Sequence, residues 1–138
     1  MSRVFLDANV LFSASIAPDG RARAIFEFAE ERATLLATEY VVEEARRNLE
    51  RKRPSKASEL ETLLEAVHIS DAPPNRLVEE LTPLVPDADD APVLAGAVSG
   101  GADMLVTGNE RDFRDLYGTE VRGVLVLRPK DALDLLAQ

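Results

Sequence analysis

The chain has 138 residues, of which 46% are hydrophobic and 30% charged, and it contains no cysteine. That length suits one domain with a sizeable core. No run approaches the roughly 20 apolar residues of a membrane span, and the absence of thiols excludes disulfides and thiolate metal sites. A net charge of −9 argues against a general polyanion binder. Met1-Ser2-Arg3 leads straight into an apolar run with no room for a signal peptide, so a cytoplasmic protein is expected.

Val4, Phe5 and Leu6 read as a strand buried on both faces of a parallel sheet, and that strand stops at Asp7. Ligands of open α/β sheets bind beyond the carboxyl ends of strands, which places Asp7 for chemistry. The alternative is that Asp7 only caps the helix that follows, Ala8 to about Ser15. The Pro18-Asp19-Gly20 turn ends that helix, and Ala22, Ile25, Phe26 and Ala29 mark the inner face of another over 21–32. Thr34 to Ala37 form a second strand, with Thr38 as the predicted N-cap of a helix from Glu39 to about Arg51.

At 100° per residue, Val41, Val42, Ala45 and Leu49 make the buried stripe of this helix. Glu44 falls on its edge beside Asn48, so it can reach a neighbouring crevice, whereas Glu43 turns toward water. Arg46, Arg47, Arg51, Lys52, Arg53 and Lys56 form a basic cluster suited to a phosphate backbone, with a solvated helix face as the alternative. After Pro54 the helical pattern resumes over Lys56 to Ala66, giving a helical hairpin.

Val67-His68-Ile69 is a third strand. His68 is the only histidine and reads as structural; alone it cannot build a histidine zinc site. A short helix is expected over Leu77 to Leu84. Asp87, Asp89 and Asp90 then open a further helix, more acids than one cap requires, and Gly100-Gly101 ends it. Asp103 to Thr107 form a fourth strand entering Gly108-Asn109-Glu110-Arg111-Asp112-Phe113. Val121 to Leu127 form a fifth, interrupted by Arg122 and Gly123. Pro129 to Leu136 close the chain as an amphipathic helix whose Leu133, Leu135 and Leu136 serve either the core or a partner contact.

Alternating strands and helices specify a three-layer α/β/α domain with a central parallel sheet of four to five strands. Asp7, the acids of 87–90 and Asp112 then share one sheet edge, with Glu44 leaning in. Several carboxylates at close range oppose joint ionisation, and a hard divalent cation resolves that conflict. Without thiols or a second histidine, the chain favours one or two Mg²⁺ or Mn²⁺ ions.

Four segments in order, Asp7-Ala8-Asn9, Val41-Val42-Glu43-Glu44, Asp87 to Leu94 and Val106 to Phe113, resemble the PIN domains, a family of metal-dependent ribonucleases. The likeness spans nearly the whole chain and is nearest to the VapC-type toxins of toxin–antitoxin pairs. Carried over by position, it implies Asp7, Glu44, Asp90 and Asp112 as catalytic acids. Asp7 and Asp90 would be the principal metal ligands, with Glu44 acting directly or through water. Many PIN domains carry Asp where this chain has Asn109, so Asp112 is expected to supply that carboxylate. Asn9, Thr107 and Asn109 would orient acids or water, with direct ligation through its neutral oxygen as the alternative for Asn109, and Asp87 and Asp89 would act from further out. The resemblance implies hydrolysis of RNA phosphodiester bonds, RNA held by Arg46, Arg47, Arg51, Lys52 and Arg53, a cognate antitoxin and a possible homodimer.

A haloacid-dehalogenase-type phosphatase needs a second Asp where Asn9 stands. A receiver domain needs paired acids where Ala8 breaks the pair, and flap-type nucleases are longer. The rival from another class is a PIN-like module that has lost catalysis and acts by binding protein or RNA.

Overall fold

Val4, Phe5 and Leu6 are fully buried, as the central strand of a doubly covered sheet requires. They belong to β1 (Ser2–Leu6) of a computed structural model that describes residues 1–138. The chain continues through α1 (Ala8–Ile16), α2 (Arg21–Arg32), β2 (Ala33–Thr38), α3 (Glu39–Lys52), α4 (Ala57–Leu64) and β3 (Val67–Ser70). There follow α5 (Asn75–Leu81), α6 (Ala91–Ser99), β4 (Met104–Val106), α7 (Glu110–Phe113), β5 (Glu120–Val121), β6 (Val124–Leu127) and α8 (Pro129–Leu136). No helix is long and apolar enough to cross a membrane.

The sheet order is β3-β2-β1-β4-β6-β5, parallel throughout except for the β5–β6 pair. Val4 lies opposite Leu35 on one side and Met104 on the other. The chain steps outward from β1 to β3, then returns to place β4 on the other flank of β1. The reversal point between β1 and β4 is where such sheets open a crevice. Asp7 and Thr107 are the first residues beyond those two strands.

Right-handed crossovers put α1 and α2 on one face and α5 and α6 on the other. Phe5 points toward α6, and a Cβ on Gly96 of that helix would stand 3.2 Å from its ring and 3.1 Å from Thr38 Cγ2. Glycine therefore lets α6 settle directly on β1 and β2. On the other face α8 packs along α2.

Three expectations are corrected. The interrupted fifth strand is a hairpin: Arg122 (φ 49°) and Gly123 (φ 88°) both adopt the left-handed region demanded by a tight two-residue turn. The sheet accordingly has six strands, five of them parallel. Thr38 occupies the N-cap position of α3 but makes no capping bond; its Oγ1 is buried without a partner. Proline confines the helices more tightly than the apolar pattern suggested. Pro54 starts a short 3₁₀ turn before α4, and Pro83 turns the end of α5 into another over Thr82–Leu84. At the C-terminus Leu136 is buried and Leu133 packs against the core, leaving Leu135 as the exposed leucine of the trio.

Candidate functional site

Asp7 ends β1 at the point where its backbone N–H still donates to Val106 O at 3.0 Å, so the sheet holds its backbone rigidly. The capping reading of this residue is seen directly. Oδ1 accepts the Ala8 N–H at 2.7 Å and caps α1, while Oδ2 accepts the Thr107 hydroxyl at 2.8 Å and the Asn9 amide at 3.4 Å. Burial pushes the carboxyl up to about 6 despite these donors, and the charge of Glu44 adds to the shift. Asn9 also accepts the Gly108 N–H at 2.7 Å, and Thr107 Oγ1 accepts the Asn109 N–H at 3.1 Å. Asn9 and Thr107 thus tie the Asp7 carboxylate to the loop after β4.

A second group gathers opposite. Carboxylate oxygens of Asp87, Asp90 and Asp112 all lie within 4.8 Å of one another. Asp87 Oδ1 caps the 3₁₀ turn Ala88–Asp90 by accepting the Asp89 N–H at 2.9 Å, and that turn aims Asp90 into the crevice. Asp112 is buried on α7, where Asn109 is the N-cap: its Oδ1 accepts the Asp112 N–H at 3.2 Å and its Nδ2 donates to Asp112 Oδ2 at 3.0 Å. Arg111, 3.1 Å away and 82% exposed, holds Asp112 well below the usual carboxylate range. Asp90 moves the other way, raised first by burial and then by its contact with Asp112, with Asp7 and Asp87 adding to the repulsion.

The structure therefore brings Asp7, Asp90 and Asp112 to one edge. It draws Asp87, expected further out, into the tight group with Asp90 and Asp112. Glu44 stands apart from that trio, half-buried on α3, near enough for its charge to act on Asp7. Tyr40, one turn earlier on the same helix, donates its hydroxyl to Asp89 O at 2.7 Å and so ties α3 to the Asp90 turn. Its position four residues before Glu44 could have flagged it. Tyr117 donates to Thr107 O at 2.7 Å beneath Asp7, a contact that local sequence spacing does not announce.

Within the basic cluster Arg47, Arg51, Lys52 and Arg53 are exposed and form no salt bridge, and Arg46 alone is paired with carboxylates. Arg46 is engaged by Glu39, Glu43 and Glu61 at 2.9–3.2 Å, which takes its charge away from any polyanion. Lys52 lies 5.7 Å from the centre of the Phe12 ring. Arg51 donates to Asn48 at 3.0 Å, and Arg53 donates to the Lys52 carbonyl at 3.4 Å. Arg47 follows Tyr40 and Glu44 along one helix face and is exposed. His68 is exposed on the edge strand β3, remote in the sheet order from the β1–β4 crevice.

These residues fit a hard divalent cation. The donors are oxygens only, and Asp90 Oδ2 is buried with no hydrogen-bond partner, beside two further carboxylates. A buried, unpartnered carboxylate oxygen is costly unless a cation completes it. Asp87, Asp90 and Asp112 are the residues able to hold such an ion, with Asp7 across the crevice.

A family model described as PIN domain matches residues 3–111. No curated protein matches the chain. Among solved structures, VapBC2 of Rickettsia felis, bound to a DNA fragment from its promoter, is similar over 91% of this chain and 98% of its own, with 18% identity and a TM-score of 0.69. PAE2754 of Pyrobaculum aerophilum is similar over 99% of this chain and 96% of its own, with 20% identity and a TM-score of 0.70. VapC20 of Mycobacterium tuberculosis, a sarcin–ricin loop cleaving toxin, is similar over 77% and 91% respectively, with 16% identity and a TM-score of 0.58.

Proposed function

The chain belongs to the PIN domain family, and from that membership we propose that it is a cytoplasmic endoribonuclease dependent on Mg²⁺ or Mn²⁺, the toxin of a toxin–antitoxin pair. The observation that carries the reading is the buried, unpartnered Asp90 Oδ2 within the Asp87–Asp90–Asp112 group, facing Asp7 across the crevice between β1 and β4. Structural likeness to VapBC2 and VapC20 supports the toxin role and a cognate antitoxin as partner.

Asp90, Asp112, Asp87 and Asp7 would hold the cation, with Glu44 contributing from α3. When bound, such an ion acidifies a water and neutralises charge that builds on the phosphate oxygens. Thr107 and Asn9 fix the direction of the Asp7 carboxylate through their bonds to Oδ2. Asn109 fixes Asp112 in the same way. Arg111 pairs with Asp112 at 3.1 Å while remaining 82% exposed, so it would stand where an entering phosphate meets the acids.

Single-stranded RNA incubated with purified protein and Mg²⁺ or Mn²⁺ tests the reading. We expect cleavage that disappears in EDTA and in Asp90→Asn, read by product sizing on denaturing gels. RNA left intact by either metal would instead make the chain a binding module.

A further inference from the structure

Beside the acidic crevice lies a second cleft of about 540 Å³ that the nuclease reading leaves without a role. It is bounded by Arg21 at the start of α2, Arg128 and Lys130 around the start of α8, Gly108 on the loop after β4 and Glu110 at the start of α7. Both helices run back from the carboxyl edge of the sheet, so their first turns sit on the same edge as Asp7. In a chain carrying 25 acids against 16 bases, three cations facing one acid in a single cleft is a local reversal of charge.

Arg128 is held in place. Its guanidinium stacks 4.0 Å from the centre of the Tyr117 ring, and its Nε donates to Glu110 at 2.7 Å. Its side chain is still 43% exposed, and its terminal nitrogens make no hydrogen bond within the protein. An arginine fixed by a ring and a carboxylate, with its fork left free, is preorganised for a phosphate. The connection to the acids is short: Tyr117 bonds to Thr107 O, Thr107 bonds to Asp7, and Gly108 bonds to Asn9. Arg21 and Lys130 are exposed and form no salt bridge. The first turn of α2 has no side-chain cap and no acid, which adds a modest pull on an anion.

We propose that this cleft is a phosphate subsite for the RNA backbone next to the scissile bond, with Arg128 as the fixed anchor and Arg21 and Lys130 as the flanking cations. The proposal rests on the nuclease reading, and it adds a second grip on RNA to the exposed cations of α3, where Arg46 is already paired with carboxylates.

The test measures binding apart from cleavage. Anisotropy of a labelled single-stranded RNA is followed in EDTA across a salt series, for wild type, Arg21→Ala/Lys130→Ala and Arg128→Gln. The double variant changes exposed side chains only, so it keeps the test valid if loss of the Tyr117 stack unfolds Arg128→Gln. We expect affinity about tenfold lower for the double variant, and a salt slope shallower by ~1.4, since a single strand contributes ~0.7 per phosphate contact. Cleavage by the variant with Mn²⁺ should show a raised KM at nearly unchanged kcat. Equal affinity and equal salt slope in wild type and double variant would overturn the subsite. So would weakening confined to an Arg47→Ala/Arg51→Ala control. If wild type binds RNA through this cleft but cleaves with neither metal, the nuclease reading fails while the subsite stands.

Discussion

Replacing Asp7 with asparagine should make the metal-free protein more stable at alkaline pH while abolishing the metal-dependent cleavage proposed above. The carboxyl is pushed from 3.8 to about 6 by burial. A rise of that size corresponds to roughly 3 kcal/mol of penalty for the ionised form. The sign follows from proton counts. Between pH 4 and 6 the unfolded carboxyl has released its proton and the folded one keeps it, so stability falls as pH rises through that window. Above about pH 6 the full penalty is present. Asparagine carries no charge and escapes it, but it offers one acceptor oxygen where Asp7 uses both, for Ala8, Thr107 and Asn9. The amide nitrogen that replaces Oδ2 cannot accept, so the Thr107 bond at 2.8 Å and the long Asn9 bond at 3.4 Å are both lost, which together takes back about 1 kcal/mol. The net gain at pH 8 is about 2 kcal/mol, or roughly 6–8 °C in Tm for a domain of this size. Near pH 4.5 the electrostatic penalty has dropped to about 1 kcal/mol, and the two effects cancel. Thermal melts by circular dichroism in EDTA at both pH values measure this, with a parallel Mn²⁺ titration in which wild type gains Tm and the variant does not. An Asp7→Asn protein that melts below wild type at pH 8 in EDTA would refute the reasoning, since the buried charge would then not be a burden awaiting a cation.

Asp7 and Asp90 both hold protons above the ordinary carboxylate range, so Mn²⁺ affinity should rise as pH rises through 6, with protons released on binding. Calorimetry in two buffers of different ionisation enthalpy reads that release, and a flat affinity from pH 6 to 8 would contradict it. Thr38→Val should stabilise by about 1 kcal/mol, because the valine keeps the shape and deletes a buried hydroxyl with no partner. Urea unfolding checks this, and a loss of stability would restore Thr38 as a helix cap. Gly96→Ala should cost about 1–3 kcal/mol, since the new Cβ would press on Phe5 and Thr38 at 3.2 and 3.1 Å. The same urea titration reports it.

The elements were legible wherever a period ran undisturbed. Ala22, Ile25, Phe26 and Ala29 marked α2, and Pro129 to Leu136 marked α8, because a 3.6-residue repeat of apolar side chains needs no knowledge of neighbours. Arg122 was harder. A non-glycine residue at φ 49° carries no local signal, so the β5–β6 turn read as an interruption of one strand. Thr38 had the composition of a cap, yet close packing of α6 over its methyl group leaves its hydroxyl without the expected bond.

The same division runs through the site. By itself the order of residues determined that the acids at 7, 90 and 112 fall at strand ends or helix starts, because strand and helix periods are local properties that place such positions on one sheet edge. Only the tertiary structure decided which carboxylates meet. It drew Asp87 in beside Asp90 and Asp112, left Glu44 across the crevice, and turned Arg46 toward Glu39, Glu43 and Glu61. Those outcomes depend on how a 3₁₀ turn aims Asp90 and how α3 rests against its neighbours. Distances between side chains far apart along the chain are set by packing, and packing is not written in any local window.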